Sequence, residues 1–145
     1  MKKIVPGGSS GQESIYNGLQ AAEEIAGGEK SIVLIHDGVR PLINEKTISD
    51  NIDSVKKHGS SITCVKVKET VLVVAEDKSI EDVPNRADTR LARAPQSFYL
   101  DEIIGAHRKA MAENKYDFID SCSMMQYYGK KLYLIEGPQE NIKIT

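Results

Sequence analysis

An uninterrupted apolar run, residues 32–35 of "SIVLIHDGVRP", lies between two stretches of helical period and runs straight into a histidine, an aspartate and an arginine. Four consecutive β-prone residues without alternation suit a strand covered on both faces, as in a parallel sheet. Upstream, "SGQESIYNGLQAAEEIAGG" sets Ser10 and Glu13 at capping-box spacing and puts Ile15, Leu19, Ala22 and Ala26 on one helical face, with Gly27 and Gly28 ending the helix. Downstream, Asn44 caps a second helix whose apolar stripe is Ile48, Ile52 and Val55, and "KKHG" places cations and a glycine at its end. "SSITCVKV" reads as the next strand. Helix, strand, helix, strand within about 60 residues predicts an α/β fold with right-handed crossovers, a mainly parallel sheet and helices on both faces.

After Lys68 the rhythm changes. Residues 68–93 carry short β-prone pieces, a polar turn at "EDKS" and prolines, with no helical stripe, which predicts a β excursion out of the main sheet. Helical period returns over 100–113, with Leu100, Ile103, Ile104, His107 and Ala110 on one side, and again near 119–128. "KLYLIEG" and "NIKIT" read as two last strands. The end at Thr145, directly after a strand-like pattern, is abrupt for a finished domain. There is no internal repeat and no low-complexity linker.

Several classes of function are excluded at this point. With 145 residues, 40% of them hydrophobic, the chain supports one core, so residues 1–145 are expected to form a single domain. Nineteen basic residues nearly cancel 21 acidic ones, and no stretch concentrates Lys and Arg, so a nucleic-acid partner is not expected. Cys64 and Cys122 lack CxxC spacing, which points to reduced thiols rather than zinc or a disulfide framework. No apolar run approaches a membrane span and "MKKIVPGG" lacks the apolar middle of a signal peptide. A soluble, cytoplasmic protein without a membrane partner is the expectation.

In open α/β sheets ligands bind beyond the carboxyl ends of the strands. Asp37 stands two residues past such an end, and a hard oxygen ligand there suits Mg²⁺, which takes one or two carboxylates while substrate phosphates fill other positions. Arg40 adds a planar, permanent cation for a carboxylate or phosphate. Equally, the two side chains form a structural ion pair that shapes the turn before Pro41. In "PGGSSGQES", residues 6–14, closely spaced glycines ahead of a helix let backbone N–H groups approach an anion or a base edge, or simply cap the helix. The stretch matches neither GxGxxG nor GxxxxGK[ST], so neither a dinucleotide site nor a standard NTPase is supported. His36, His58 and His107 have no metal-ligand spacing, and His36 reads as a strand-end hydrogen-bonding residue. Met124, Met125, Tyr127 and Tyr128 read as core or interface filler.

Read in order, "VPGG…S" before a helix, "HDGVRP", "VKET", "PNR", "APQSF", "IDSC" and "EGPQENIKIT" resemble the cytidylyltransferases that activate sugar-alcohol phosphates, the methylerythritol-phosphate and ribitol-5-phosphate cytidylyltransferase family. The resemblance runs over essentially the whole chain. It implies a Rossmann-like sheet with a protruding β arm at 68–93 that exchanges with a second subunit of a homodimer. It also implies attack of a substrate phosphate on the α-phosphorus of CTP, giving a CDP-alditol and pyrophosphate. Carried over by position, Asp37 matches the magnesium-binding aspartate, and Gly8, Ser9 and Ser14 match positions that recognise cytosine. Arg40 matches the arginine of the aspartate's turn, and Lys143 a phosphate contact. Thr70 and Arg86 match arm residues that reach the acceptor phosphate in the neighbouring subunit's site, and Asp120 an acidic position near the acceptor hydroxyls. Each also has an ordinary structural explanation: Lys143 as an edge-strand gatekeeper, Arg86 as a solvated charge, Thr70 as a β-former, Asp120 as a helix cap.

Departures from the family pattern carry their own expectations. The family begins with a β-α unit whose glycine-rich, basic loop cradles the triphosphate, whereas this chain opens close to the "PGG" turn and ends before the family's last helix. Little or no transferase activity is therefore expected of this polypeptide alone, unless another chain supplies that unit; the alternative is an inactive, dimerising α/β module. Gly11 stands where members often carry arginine, and Ala94 where many methylerythritol-phosphate enzymes have threonine before "PQ". "HDGVRPLI", "PNR" and "EGPQENIKIT" resemble the ribitol-phosphate branch more than the "HDAARP" form of the other, so ribitol 5-phosphate is the favoured acceptor.

Overall fold

The structure, a computed structural model, describes all residues 1–145. Its order is α1 (Gly11–Ala26), β1 (Ile32–Ile35), α2 (Glu45–His58), β2 (Ser60–Lys66), β3 (Val73–Val74), β4 (Ile80–Asp82), β5 (Arg90–Tyr99), α3 (Leu100–Ala112), α4 (Ser121–Tyr127) and β6 (Leu134–Glu136), with a 3₁₀ turn at Arg86–Asp88. No helix is long and apolar enough to cross a membrane.

Both early helices begin where side-chain caps are available. Ser10 accepts from the Glu13 amide and Asn44 from the Thr47 amide, and both helices end on left-handed glycines, Gly27 and Gly59. The capping box of α1 closes differently from the expected form. The Glu13 carboxylate reaches back to the amide and hydroxyl of Ser9 (2.6 and 2.5 Å) rather than to Ser10.

The main sheet has the order β1-β5-β2-β6. β5 lies antiparallel to both β1 and β2, while β6 pairs parallel to β2, so β1, β2 and β6 share one direction. The expected α/β class and three parallel-running strands are present, with the returning β5 inserted between two of them. Pro95 has no N–H to give the ladder, and opposite it the β2 register shifts between Ile62 and Cys64. β1 is only half-buried, because it forms the sheet's edge; the expectation of a strand covered on both faces fails there.

Alternation along β2 and β5 sends two different chemistries to the two faces. Ile62 and Phe98 join Leu19 of α1, Leu100, Ile103 and Ile104 of α3 and Met125 of α4 in one apolar cluster. Burying each such side chain stabilises the fold by about 1.5–3 kcal/mol. The opposite face, under α2, is polar. Asn51 Nδ2 donates to Thr63 Oγ1 (3.0 Å), Ser97 Oγ donates to Asn51 Oδ1 (2.9 Å), Thr63 Oγ1 donates to the Pro95 carbonyl (2.7 Å) and Ser54 Oγ to the Ser60 carbonyl (2.8 Å). The expected α2 stripe is thus displaced. Thr47, Asn51, Ser54 and Val55 face inward, and Ile48 is exposed.

The excursion between β2 and β5 contains a separate two-stranded antiparallel sheet, β3 with β4, whose residues are all exposed. Its far boundary falls earlier than expected, because β5 already starts at Arg90 and pairs with β2 there. "NIKIT" is not a strand: residues 141–145 have no regular structure.

Candidate active site

At the carboxyl end of β1, beside Ala92, Arg93, Ala94 and Gln96 of β5, the chain forms a cleft of about 460 Å³ whose lining includes Ser14, Asp37, Arg40, Asp120 and Lys143. These five residues come from α1, the turn after β1, the N-terminus of α4 and the C-terminal segment. All five were expected at the site from the sequence.

Asp37 emerges where β1 stops. The turn is closed by the Arg40 amide donating to the Asp37 carbonyl (3.0 Å), and His36 Nε2–H donates to the Arg40 carbonyl (2.9 Å). Arg40 Nε donates to Asp37 Oδ2 at 2.9 Å, yet the Asp37 side chain stays 45% exposed and Oδ1 has no protein partner. The structural ion pair and an outward-facing carboxylate oxygen therefore coexist. Arg40 is 11% exposed at its side chain and gives a second bond, from Nη1 to the Asn141 carbonyl (3.0 Å).

Ser14 Oγ accepts from the Gly8 amide (2.9 Å) and donates to the Ser10 carbonyl (2.9 Å), which folds the glycine turn over the start of α1. Gly8 thus adjoins the cleft through Ser14. Ser9 lies on a second cavity of about 410 Å³, separated from the first by Gln12 and His107, which line both. Asp120 is the cap of α4, accepting from the Ser123 amide (2.7 Å), and it also lines the cleft. Lys143 reaches the cleft from an exposed backbone. Thr70 and Arg86 are not brought to it. Both are exposed on the excursion, where Arg86 Nη1 donates to the Lys68 carbonyl (2.9 Å).

Sequence reasoning missed three residues that shape the site. Gln96 is buried and donates from Nε2 to Asp120 Oδ2 (3.2 Å), while its Oε1 accepts from the Cys122 amide (2.8 Å). Asn141 is wholly buried and donates from Nδ2 to the Ala94 carbonyl (2.7 Å). His107, stacked on Tyr16 with ring centroids 5.9 Å apart, is buried with Nε2 unpartnered, and desolvation lowers its pKa to about 4. Gln96 and Asn141 lie in "APQSF" and "NIKIT", so the motifs were visible although their buried amides were not. Burial raises the pKa of both thiols, Cys64 and Cys122, which keeps them as protonated, poorly nucleophilic groups.

Fold and cleft together define an α/β protein with a phosphate-compatible site, lined by Asp37, Asp120, Arg40, Arg93 and Lys143, at the carboxyl end of its first strand. The pattern of the 2-C-methyl-D-erythritol 4-phosphate cytidylyltransferase (IspD) family matches residues 1–145, and the chain belongs to that family. It is 50% identical over all 145 residues to a ribitol-5-phosphate cytidylyltransferase of Streptococcus agalactiae serotype V, covering 60% of that protein. It is 42% identical over 142 residues to a 2-C-methyl-D-erythritol 4-phosphate cytidylyltransferase of Clostridium novyi, covering 98% of this chain and 59% of the relative. Among solved structures, a 4-diphosphocytidyl-2C-methyl-D-erythritol synthase from Anaerococcus prevotii superposes with a TM-score of 0.88 at 28% identity, over 98% of this chain and 64% of that one. The chain thus spans about 60% of the length of the curated relatives it matches.

Proposed function

We propose that the cleft is a site of cytidylyl transfer, in which CTP and a sugar-alcohol phosphate give a CDP-alditol and pyrophosphate. The observation that carries this reading is the convergence of Asp37, Arg40, Asp120, Ser14 and Lys143, from separate segments, on one cleft in a chain of this family. The acceptor's phosphate oxygen attacks the α-phosphorus of CTP. A new P–O bond forms, the bond to the bridging oxygen breaks, and pyrophosphate leaves. Such a transfer depends mainly on positioning and on offsetting negative charge.

The donor set fits Mg²⁺. Asp37 offers a free oxygen to the cleft, and no cluster of three or more His, Cys, Asp or Glu forms a closed metal cage. A single carboxylate leaves other positions for phosphate oxygens and water, as magnesium prefers. Bound there, the ion supplies charge neutralisation at the phosphates. Lys143 adds a mobile point charge beside them, and the Arg40 guanidinium holds Asp37 in place. Ser14, with the Gly8 and Ser9 turn, stands on the side proposed for cytosine, and Asp120 on the side proposed for acceptor hydroxyls. Thr70 and Arg86 serve the neighbouring subunit's cleft in a homodimer joined through the arm, a role supported by their exposure away from their own cleft. Ribitol 5-phosphate is the favoured acceptor, supported by 50% identity to a protein named for it against 42% for one named for 2-C-methyl-D-erythritol 4-phosphate.

Calorimetry with Mg–CTP tests the reading. The 145-residue chain is expected to bind, and Asp37→Asn to weaken binding at constant Mg²⁺ by at least roughly 10-fold, the smallest loss usual even for groups that only support a metal's ligands. Equal affinity of the two proteins would overturn the assignment of Asp37.

A further inference from the structure

β6 ends at Glu136, so Lys143 is carried by a segment that no strand ladder holds. Its placement must come from other bonds. The Gly137 amide donates to the Cys64 carbonyl (2.8 Å), and a Cβ at Gly137 would stand 2.7 Å from Thr63 Cγ2, so only glycine lets the chain cross β2 so closely. Arg93 Nη1 then donates to the Gln139 carbonyl (2.7 Å), and the Ile144 amide to the Val39 carbonyl (2.8 Å).

Between these points the usual burial pattern is inverted. Ile142 and Ile144 are 46% and 51% exposed, whereas Asn141 is 0% exposed. The segment is therefore anchored by a buried amide rather than by its apolar side chains. Asn141 grips β5 through the Ala94 carbonyl, and its own carbonyl receives Arg40 Nη1. The same guanidinium holds Asp37 through Nε. One planar group thus connects the carboxylate at the end of β1 with the segment that carries Lys143.

Resting on the cytidylyl-transfer reading, we propose that Arg40 and Asn141 are positioning residues that hold Lys143 at the same cleft as Asp37, rather than contacts for the substrate themselves. The geometry distinguishes the two roles. Arg40 directs two arms of its fork at protein acceptors and is largely buried, while Lys143 remains free. A lysine at position 40 has no planar fork with which to hold both acceptors at once.

A double-mutant cycle on the 145-residue chain decides it, read by Mg–CTP calorimetry and by amide hydrogen exchange at Ile144. Arg40→Lys and Asn141→Ala are each expected to speed exchange at Ile144 and to weaken Mg–CTP by roughly 10-fold, the low end for groups that orient a ligand-holding shell. In a Lys143→Ala background the same changes are expected to cost little more, because they act through Lys143. Losses that multiply would make Arg40 a direct contact and overturn the proposal. So would faster exchange at Ile144 with unchanged affinity. Arg40→Lys keeps the buried charge and serves as the check if Asn141→Ala unfolds. If the unsubstituted chain shows a protected Ile144 amide but no affinity for Mg–CTP, the functional reading itself fails and the positioning role falls with it.

Discussion

Asn51 sits at the centre of the α2 interface with no exposed surface, and its amide serves Thr63 and Ser97 at once. Replacing it by leucine leaves the Ser97 hydroxyl without a partner and Thr63 Oγ1 with only its bond to the Pro95 carbonyl, and an unsatisfied buried group costs about 1–3 kcal/mol. Urea denaturation of Asn51→Leu is expected to show a loss of at least about 2 kcal/mol, whereas Ile48→Lys on the exposed side should stay within about 0.5 kcal/mol of the parent. His107 adds a pH dependence. Its pKa falls from 6.5 unfolded to about 4 folded because burial disfavours the charged ring. The folded state therefore binds fewer protons between these values, and the stability that the neutral ring contributes is complete above about pH 6.5 and lost as pH falls towards 4. The loss is on the order of 2–3 kcal/mol. His107→Gln is expected to flatten the urea midpoint over that window relative to the parent; parallel profiles would contradict the assignment. At this scale apolar partners were legible in the sequence, since Leu100, Ile103, Ile104, His107 and Ala110 are all buried as their spacing predicts. Polar ones were not. Asn51 has helical spacing from Thr47 and Val55, but a hydrophobic pattern does not register a core held by hydrogen bonds.

The elements divide in the same way. α1, α2 and α4 begin at side-chain caps and α3 follows its apolar period, while the misread pieces, the α2 stripe among them, are those in which tertiary pairing overrides local pattern. "NIKIT" alternates like a strand, yet its isoleucines face solvent and its ordering comes from Asn141. β1 is as apolar as a central strand and lies at an edge. The β3–β4 hairpin displays Leu72, Val73, Val74, Ile80 and Val83 on its surface, a set that a monomer in water gains nothing by exposing. If that surface joins two subunits, Val74→Asp combined with Ile80→Asp should shift sedimentation from dimer to monomer without changing the far-ultraviolet circular dichroism. An unchanged sedimentation profile would remove the arm from the interface.

For the whole molecule, the arrangement that matters is a sheet with one oily and one hydrogen-bonded face whose first strand ends at the cleft. A strand ending in His36 and Asp37 made that edge legible from the sequence. The long-range bonds from Arg40 to Asn141 and from Gln96 to Asp120 were not legible, because they join residues separated by 101 and 24 positions. On the proposed function, Asp37 and Lys143 face one metal-bound nucleotide. Paramagnetic broadening of amide resonances by Mn²⁺ in the presence of CTP measures this most directly. Broadening is expected to concentrate at Asp37, Arg40, Ser14 and Lys143 and to disappear in Asp37→Asn. Broadening centred elsewhere, or unchanged by that substitution, would contradict it.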